Sequence, residues 1–188
     1  PSYKSARAAQ NSCRPCTTRQ GRSVVVAPSD SSILIRRKIM FEDAKIAIKN
    51  STKTSSVYIG CDSIRYKKED KWMARYSTVI VLHRNSHNGC LLFHETKSIL
   101  DYGNMKLRLM TEVQYAIDAA MEVIDVLDGR MLSIHLDLNA DPKHKSNIAV
   151  KEALGYVRGM TGIQADIKPN AWAASYAADR AVRNIPLR

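Results

Sequence analysis

The stretch "VYIGCDS", residues 57–63, runs a strand-forming sequence into a bare carboxylate. Val57, Tyr58 and Ile59 suit a pleated, half-buried surface, Gly60 and Cys61 are small, and Asp62 falls where the strand is expected to end. A second stretch, "SIHLDLN" at 133–139, repeats the arrangement with Asp137. Either each acid caps its own loop or the two share a site. The order of the strands decides between these.

Outward from 57–62, the pattern predicts two more strands, 74–83 and 90–99, joined through "RYKKEDKW" and "RNSHNG", which have the polarity of hairpin links. A helix precedes them. Ile35, Ile39, Phe41, Ala44, Ile46 and Ile48 approximate one apolar side from Ser31 up to Asn50. After the third strand, Leu109, Val113, Ala116, Ile117, Ala120, Ile124 and Leu127 keep the spacing of an amphipathic helix over about 104–127, which "DG" at 128–129 ends. A fourth strand, "MLSIHLDL", leads through "NADPKHK" to a helix over about 146–158 with Ser146 as N-cap. A fifth strand, 163–168, and a last helix, "NAWAASYAADRAV", complete the chain.

Strands joined by short links are antiparallel neighbours, whereas strands separated by helices are parallel with right-handed crossovers. The fold expected is therefore α/β: a mixed five-stranded sheet, order 3-2-1-4-5, its first three strands antiparallel, with helices on both faces and one helix in front. The first and fourth strands then lie side by side, about 4.8 Å apart. Asp62 and Asp137 meet at the sheet edge where open α/β folds place ligands. Glu112 projects near the apolar side of the long helix, and Asp179 lies in an alanine-rich last helix that packs closely. Each acid also has a local partner within reach: Ser63, Arg108, the 139–142 loop, and Arg180 or Arg183. Four carboxylates gathered together raise one another's pKa values. A hard divalent cation, Mg²⁺ or Mn²⁺, relieves that conflict, and a pair of such ions points to phosphodiester hydrolysis.

Composition agrees with a polyanionic partner. The chain has 188 residues, with 29 Lys+Arg against 18 Asp+Glu and a formal net charge of +11. Such an excess favours nucleic acid, because neutralising phosphates releases counterions. Residues 1–29 carry Lys4, Arg7, Arg14, Arg19 and Arg22 with no acid before Asp30, which reads as a flexible basic tail holding phosphate or a protein partner, or as a solvated extension. "SVVVA" at 23–27 is short enough for one extra strand. Residues 30–188 make one domain. No apolar run is long enough to span a membrane and the first ten residues lack a secretory core, so a cytoplasmic setting is expected. Cys13 and Cys16 form half of a zinc pattern with no second pair, and reduced thiols are the simpler reading for all four cysteines.

"YIGCDS", "RLMTEVQYA", "IHLDLN…KSN", "GYVRGM" and "KPNAWAASYAADRAV", in that order, resemble the YkuK-like branch of the ribonuclease-H-like superfamily, from about Met40 to the end. The resemblance implies that Asp62, Glu112, Asp137 and Asp179 are the catalytic metal ligands. Many ribonuclease H enzymes carry a histidine in the loop before the last helix, but no histidine follows His144 here. Lys168, or His144 in the loop after Asp137, are the candidates to replace it, and His135 is either an outer partner of Asp137 or a core histidine. His83, His87 and His94 form no ligand spacing, and "GYVRG" does not follow a strand as a phosphate loop must. Arg65, Lys67, Lys68, Trp72, Lys143 and Lys145 are candidate nucleic-acid contacts, with Trp72 and Tyr66 as loop aromatics able to stack on bases. The sequence thus supports two functions: a metal-dependent nuclease, or a non-catalytic nucleic-acid-binding or assembly protein that kept the fold.

Overall fold

The computed structural model describes residues 30–86 and 89–183. The tail at 1–29, with its expected short strand and Cys13 and Cys16, lies outside the described residues, as does His87. The elements are α1 (Asp30–Lys49), β1 (Ser56–Lys68), β2 (Lys71–His83), β3 (Cys90–Leu100), α2 (Met105–Val123), β4 (Met131–Asn139), α3 (Asn147–Thr161) and β5 (Asp166–Lys168), then a π-helical segment, Ala173–Ala178, that runs into α4 (Asp179–Val182). The strands form one sheet in the order β3-β2-β1-β4-β5. β1, β2 and β3 are antiparallel, while β4 and β5 join in parallel, as the spacing of strands and helices predicts.

Two apolar clusters cover the two faces. On one, Val57, Ile59, Cys61, Ile80 and Leu82 pack with Phe41, Ala44 and Ile48 of α1, with Val113, Ala116, Ile117 and Ala120 of α2, and with Ala149, Ala153 and Val157 of α3. On the other, Val79 and Val81 meet Ala177, Ala178, Ala181, Tyr58 and Trp172. A sheet covered on both sides reads as a near-continuous apolar run, which is why "VYIGC" does not alternate. Gly60 is fixed by the second face. A Cβ there would lie 2.5 Å from the Ala174 nitrogen and 2.7 Å from the Ala173 carbonyl carbon. Only a residue without a side chain lets the last helix approach this closely.

Several boundaries differ from the expected ones. β1 and β2 each have 13 residues, so "RYKKEDKW" is mostly strand. Its turn is only Glu69–Asp70, both at positive φ (48° and 60°), the mirror-type hairpin turn whose twist matches that of the strands. Polar side chains disguised this extension because it projects into solvent and needs no apolar face. Ile46 is 56% exposed, two positions from buried Ala44 and Ile48 and so on the far side of α1. Ser146 makes no side-chain cap on α3; its Oγ instead accepts a hydrogen bond from the Asn139 N–H at 3.1 Å. β5 shrinks to three residues.

Arg130 organises the opposite end of the sheet. It is buried, and its guanidinium donates to carbonyls of Lys49, Ser51, Thr52 and Leu127, joining the end of α1 to the turn before β4. The Thr52 and Leu127 carbonyls also accept the backbone N–H groups of Ser55 and Arg130, so the guanidinium reinforces a turn that is already bonded. Cys61 is a free buried thiol, as expected. Among the described residues no helix is long and apolar enough to cross a membrane.

Candidate functional site

The parallel pairing of β1 with β4 runs from Ser56 opposite Met131 to Cys61 opposite Leu136. The next residue on each strand is the acid. Asp62 is therefore not at the end of β1, as the sequence suggested, but at its midpoint, where β4 stops pairing and β1 continues with β2 alone. Asp137 lies two residues before the end of β4. Where the two strands part, the sheet opens and groups from both faces approach the same place. Glu112 comes from α2 and Asp179 from the start of α4.

The electrostatics show that these acids feel one another. Burial, then the charge of Asp137, then that of Asp179 push the Asp62 carboxyl up to about 7, against a hydrogen bond from the Ser63 backbone and the charge of Arg183. Glu112 is only 6% exposed. Burial first, then Asp62 and more weakly Asp137, hold it well above the usual carboxylate range, while Ser63 and Arg108 pull the other way. The Ser63 hydroxyl donates to Glu112 Oε1 at 2.6 Å. The neighbouring Cys61 thiol is pushed up by burial and by Glu112.

The other two acids have protein cations. Lys168 Nζ lies 2.9 and 3.1 Å from the two Asp137 carboxylate oxygens, and the Ser175 hydroxyl donates to Oδ1 at 2.5 Å. Arg183 Nε pairs with Asp179 Oδ1 at 2.5 Å, one helical turn away. Among the described residues, no group of three or more acids, histidines or cysteines stands close enough together to hold a metal as arranged. The carboxylates are thus near enough to shift one another's protonation but are not drawn together at ligand distance. The donor set, all carboxylate with no sulfur or imidazole, fits a hard divalent ion. Two of the four side chains must turn from Lys168 and Arg183 to bind one.

Of the auxiliary candidates, Lys168 contacts an acid directly. His135 does not touch Asp137: alternate residues of a strand share a face, but its Nδ1 accepts the Ala173 N–H at 3.0 Å, and its ring packs against Tyr58 and Trp172. Burial holds it at about 4, against the pull of Asp166, so it is a neutral core histidine that fixes the start of the last helix. His144, Lys143 and Lys145 are exposed together in the loop beyond β4. Arg65, Lys67, Lys68 and Trp72 stand on the projecting β1–β2 hairpin rather than in a loop. Arg183 is one of the two local partners expected for Asp179, whereas the bonds of Ser63 to Glu112 and of Ser175 to Asp137 were missed from sequence. Ser63 was in view as a neighbour of Asp62, yet adjacent strand residues point to opposite faces, and that alternation is what aims it at Glu112.

A family model described as Ribonuclease H-like matches residues 39–183 of the chain. No curated protein and no solved structure matches it.

Proposed function

The chain belongs to the ribonuclease H-like family, and from that premise we propose that it is a divalent-metal-dependent nuclease hydrolysing phosphodiester bonds in RNA, RNA/DNA hybrid or branched DNA. The observation that carries this reading is the mutual charge coupling of Asp62 and Glu112 with Asp137 and Asp179 at the point where β1 and β4 part. Burying a carboxylate is costly, and the charges of Arg108 and Arg183 offset only part of the burial and mutual repulsion that raise Glu112 and Asp62. Asp62, Glu112, Asp137 and Asp179 would be the ligands of Mg²⁺ or Mn²⁺, with two ions expected. The chemistry supplied there would be activation of a water and stabilisation of the leaving 3′-oxygen. Ser63 orients Glu112, Ser175 orients Asp137, and the net charge of +11 draws the phosphodiester chain to the protein. Labelled RNA, hybrid and branched DNA incubated with Mg²⁺ or Mn²⁺ test the reading: cleavage should disappear on Asp62→Asn and on Asp137→Asn. Cleavage that survives both changes removes the site from consideration.

The ion pairs of Lys168 with Asp137 and Arg183 with Asp179 favour a second reading, an adaptor that binds nucleic acid and has replaced metal by its own cations. Titration calorimetry with Mn²⁺ separates the two. The nuclease binds the ion and loses it on Asp137→Asn; the adaptor gives no heat in either form.

A further inference from the structure

Beyond Asp62 the hairpin carries a second set of features, on the same side of the sheet as α2. Residues 62–67 extend about 17 Å past the point where β4 leaves. Near the end of that reach stands Trp72, opposite Lys67 and 49% exposed. The Arg65 guanidinium lies 4.7 Å from the centre of its ring and also bonds the buried carboxylate of Asp101, so the indole is held and not free to swing. The Asp101 N–H donates to the Trp72 carbonyl at 2.9 Å, which ties this end of the hairpin to the segment before α2.

Between this platform and Glu112 lies a cavity of about 120 Å³ lined by Arg65, Asp101, Gly103, Asn104, Met105 and Arg108. Asp101 answers Arg65 there. The Nε of Arg108, by contrast, is buried and has no acceptor, alone in this among the described side chains. A buried donor without a partner calls for an anionic or carbonyl oxygen. Arg108 precedes Glu112 by one helical turn, and Ser63, which bonds Glu112, precedes Arg65 by two residues on the same strand face. Acid, arginine-lined cavity and aromatic platform therefore form one continuous line.

We propose that this line is the track of a single-stranded polynucleotide, with a backbone phosphate in the Arg65–Arg108 cavity and an unpaired base stacked on Trp72, a few nucleotides from the acids. The assignment rests on the nuclease reading for its direction toward Glu112. Single strands fit and duplexes do not, because a base inside a duplex has both ring faces covered by its neighbours, whereas every unpaired base offers one to an aromatic. Neither the phosphate cavity nor the stacking face calls on the sugar hydroxyl, so RNA and DNA strands share the chemistry.

The test is anisotropy of labelled oligonucleotides in EDTA, where no cleavage occurs, using ribo- and deoxyribo-strands and their blunt duplexes. Trp72→Ala should weaken single-strand binding about tenfold while duplex binding moves less than about twofold, and Trp72→Phe should keep most of the affinity. Arg108→Met should take about 0.7 from the slope of log affinity against log salt, the share of one phosphate on a single strand. The tighter of the two strands names the sugar. Unchanged binding in Trp72→Ala, or equal loss on duplex and single strand, overturns the track, as does an unchanged salt slope in Arg108→Met. Cleavage that persists in Asp62→Asn sinks the metal site instead and leaves these binding results standing.

Discussion

Residues 56–61 and 62–68 belong to one strand yet live in different surroundings. The first half is hydrogen-bonded on both sides, to β2 and β4, and Val57 and Ile59 are fully buried. The second half is bonded to β2 alone, and its side chains turn from Ser63 and Ile64 to Arg65, Lys67 and Lys68. Asp62 stands at the join. One flanking strand more or less converts a strand from scaffold to working surface, because leaving the sheet frees one edge and opens both faces to solvent. A carboxylate at that boundary is anchored by the rigid half and exposed to whatever the free half admits.

The comparison breaks most readily at Gly60. Gly60→Ala sets a Cβ against the backbone of Ala173 and Ala174, which cannot rotate away, and should cost about 3 kcal/mol or more in urea unfolding. Next, Ile59→Ala leaves a cavity in the doubly paired half and should cost about 3 kcal/mol, while Ile64→Ala in the projecting half should cost about 1 kcal/mol. Equal losses would mean that the halves do not differ as described.

The pH dependence of the metal-free protein sharpens the join itself. Asp62 rises from 3.8 unfolded to about 7 folded, so the native state binds the extra proton between those values. Stability therefore falls as pH climbs from about 4 to about 7 and then levels off, by about 2 kcal/mol after allowance for solvent screening. His135 runs the other way: held at about 4 against 6.5, it withdraws stability as pH falls through that window. Asp62→Asn should reduce the first slope, with Glu112 supplying what remains, and keep the second, read from denaturation midpoints across pH. The smallest effect belongs to the hairpin tip. Glu69→Asn with Asp70→Gly relieves two residues at positive φ and should add about 0.5–1 kcal/mol, with no effect on the acids.

Much of this was legible in the residues. The strand order follows from which strands are joined by short links and which by helices, and the convergence of Asp62 and Asp137 follows from that order. Glu112 was legible as an acid on an apolar helix side. The length of the hairpin was not, because a strand that is bonded on one side and wet on the other looks like loop in composition. The π-helical turn before Asp179 was hidden as well: its alanines carry the pattern of any closely packed helix, and two of them lie against Gly60.

Sequence by itself determined the succession of elements and the sheet order, since both depend on periodicity and linker length that are written locally. Tertiary structure alone decided who accompanies each acid. Ser63 for Glu112, Lys168 and Ser175 for Asp137, and the unpaired nitrogen of Arg108 in the cavity it lines with Arg65 all arise from residues far apart in the chain. Such pairings depend on ångström-scale approach between elements, and no local pattern records that distance.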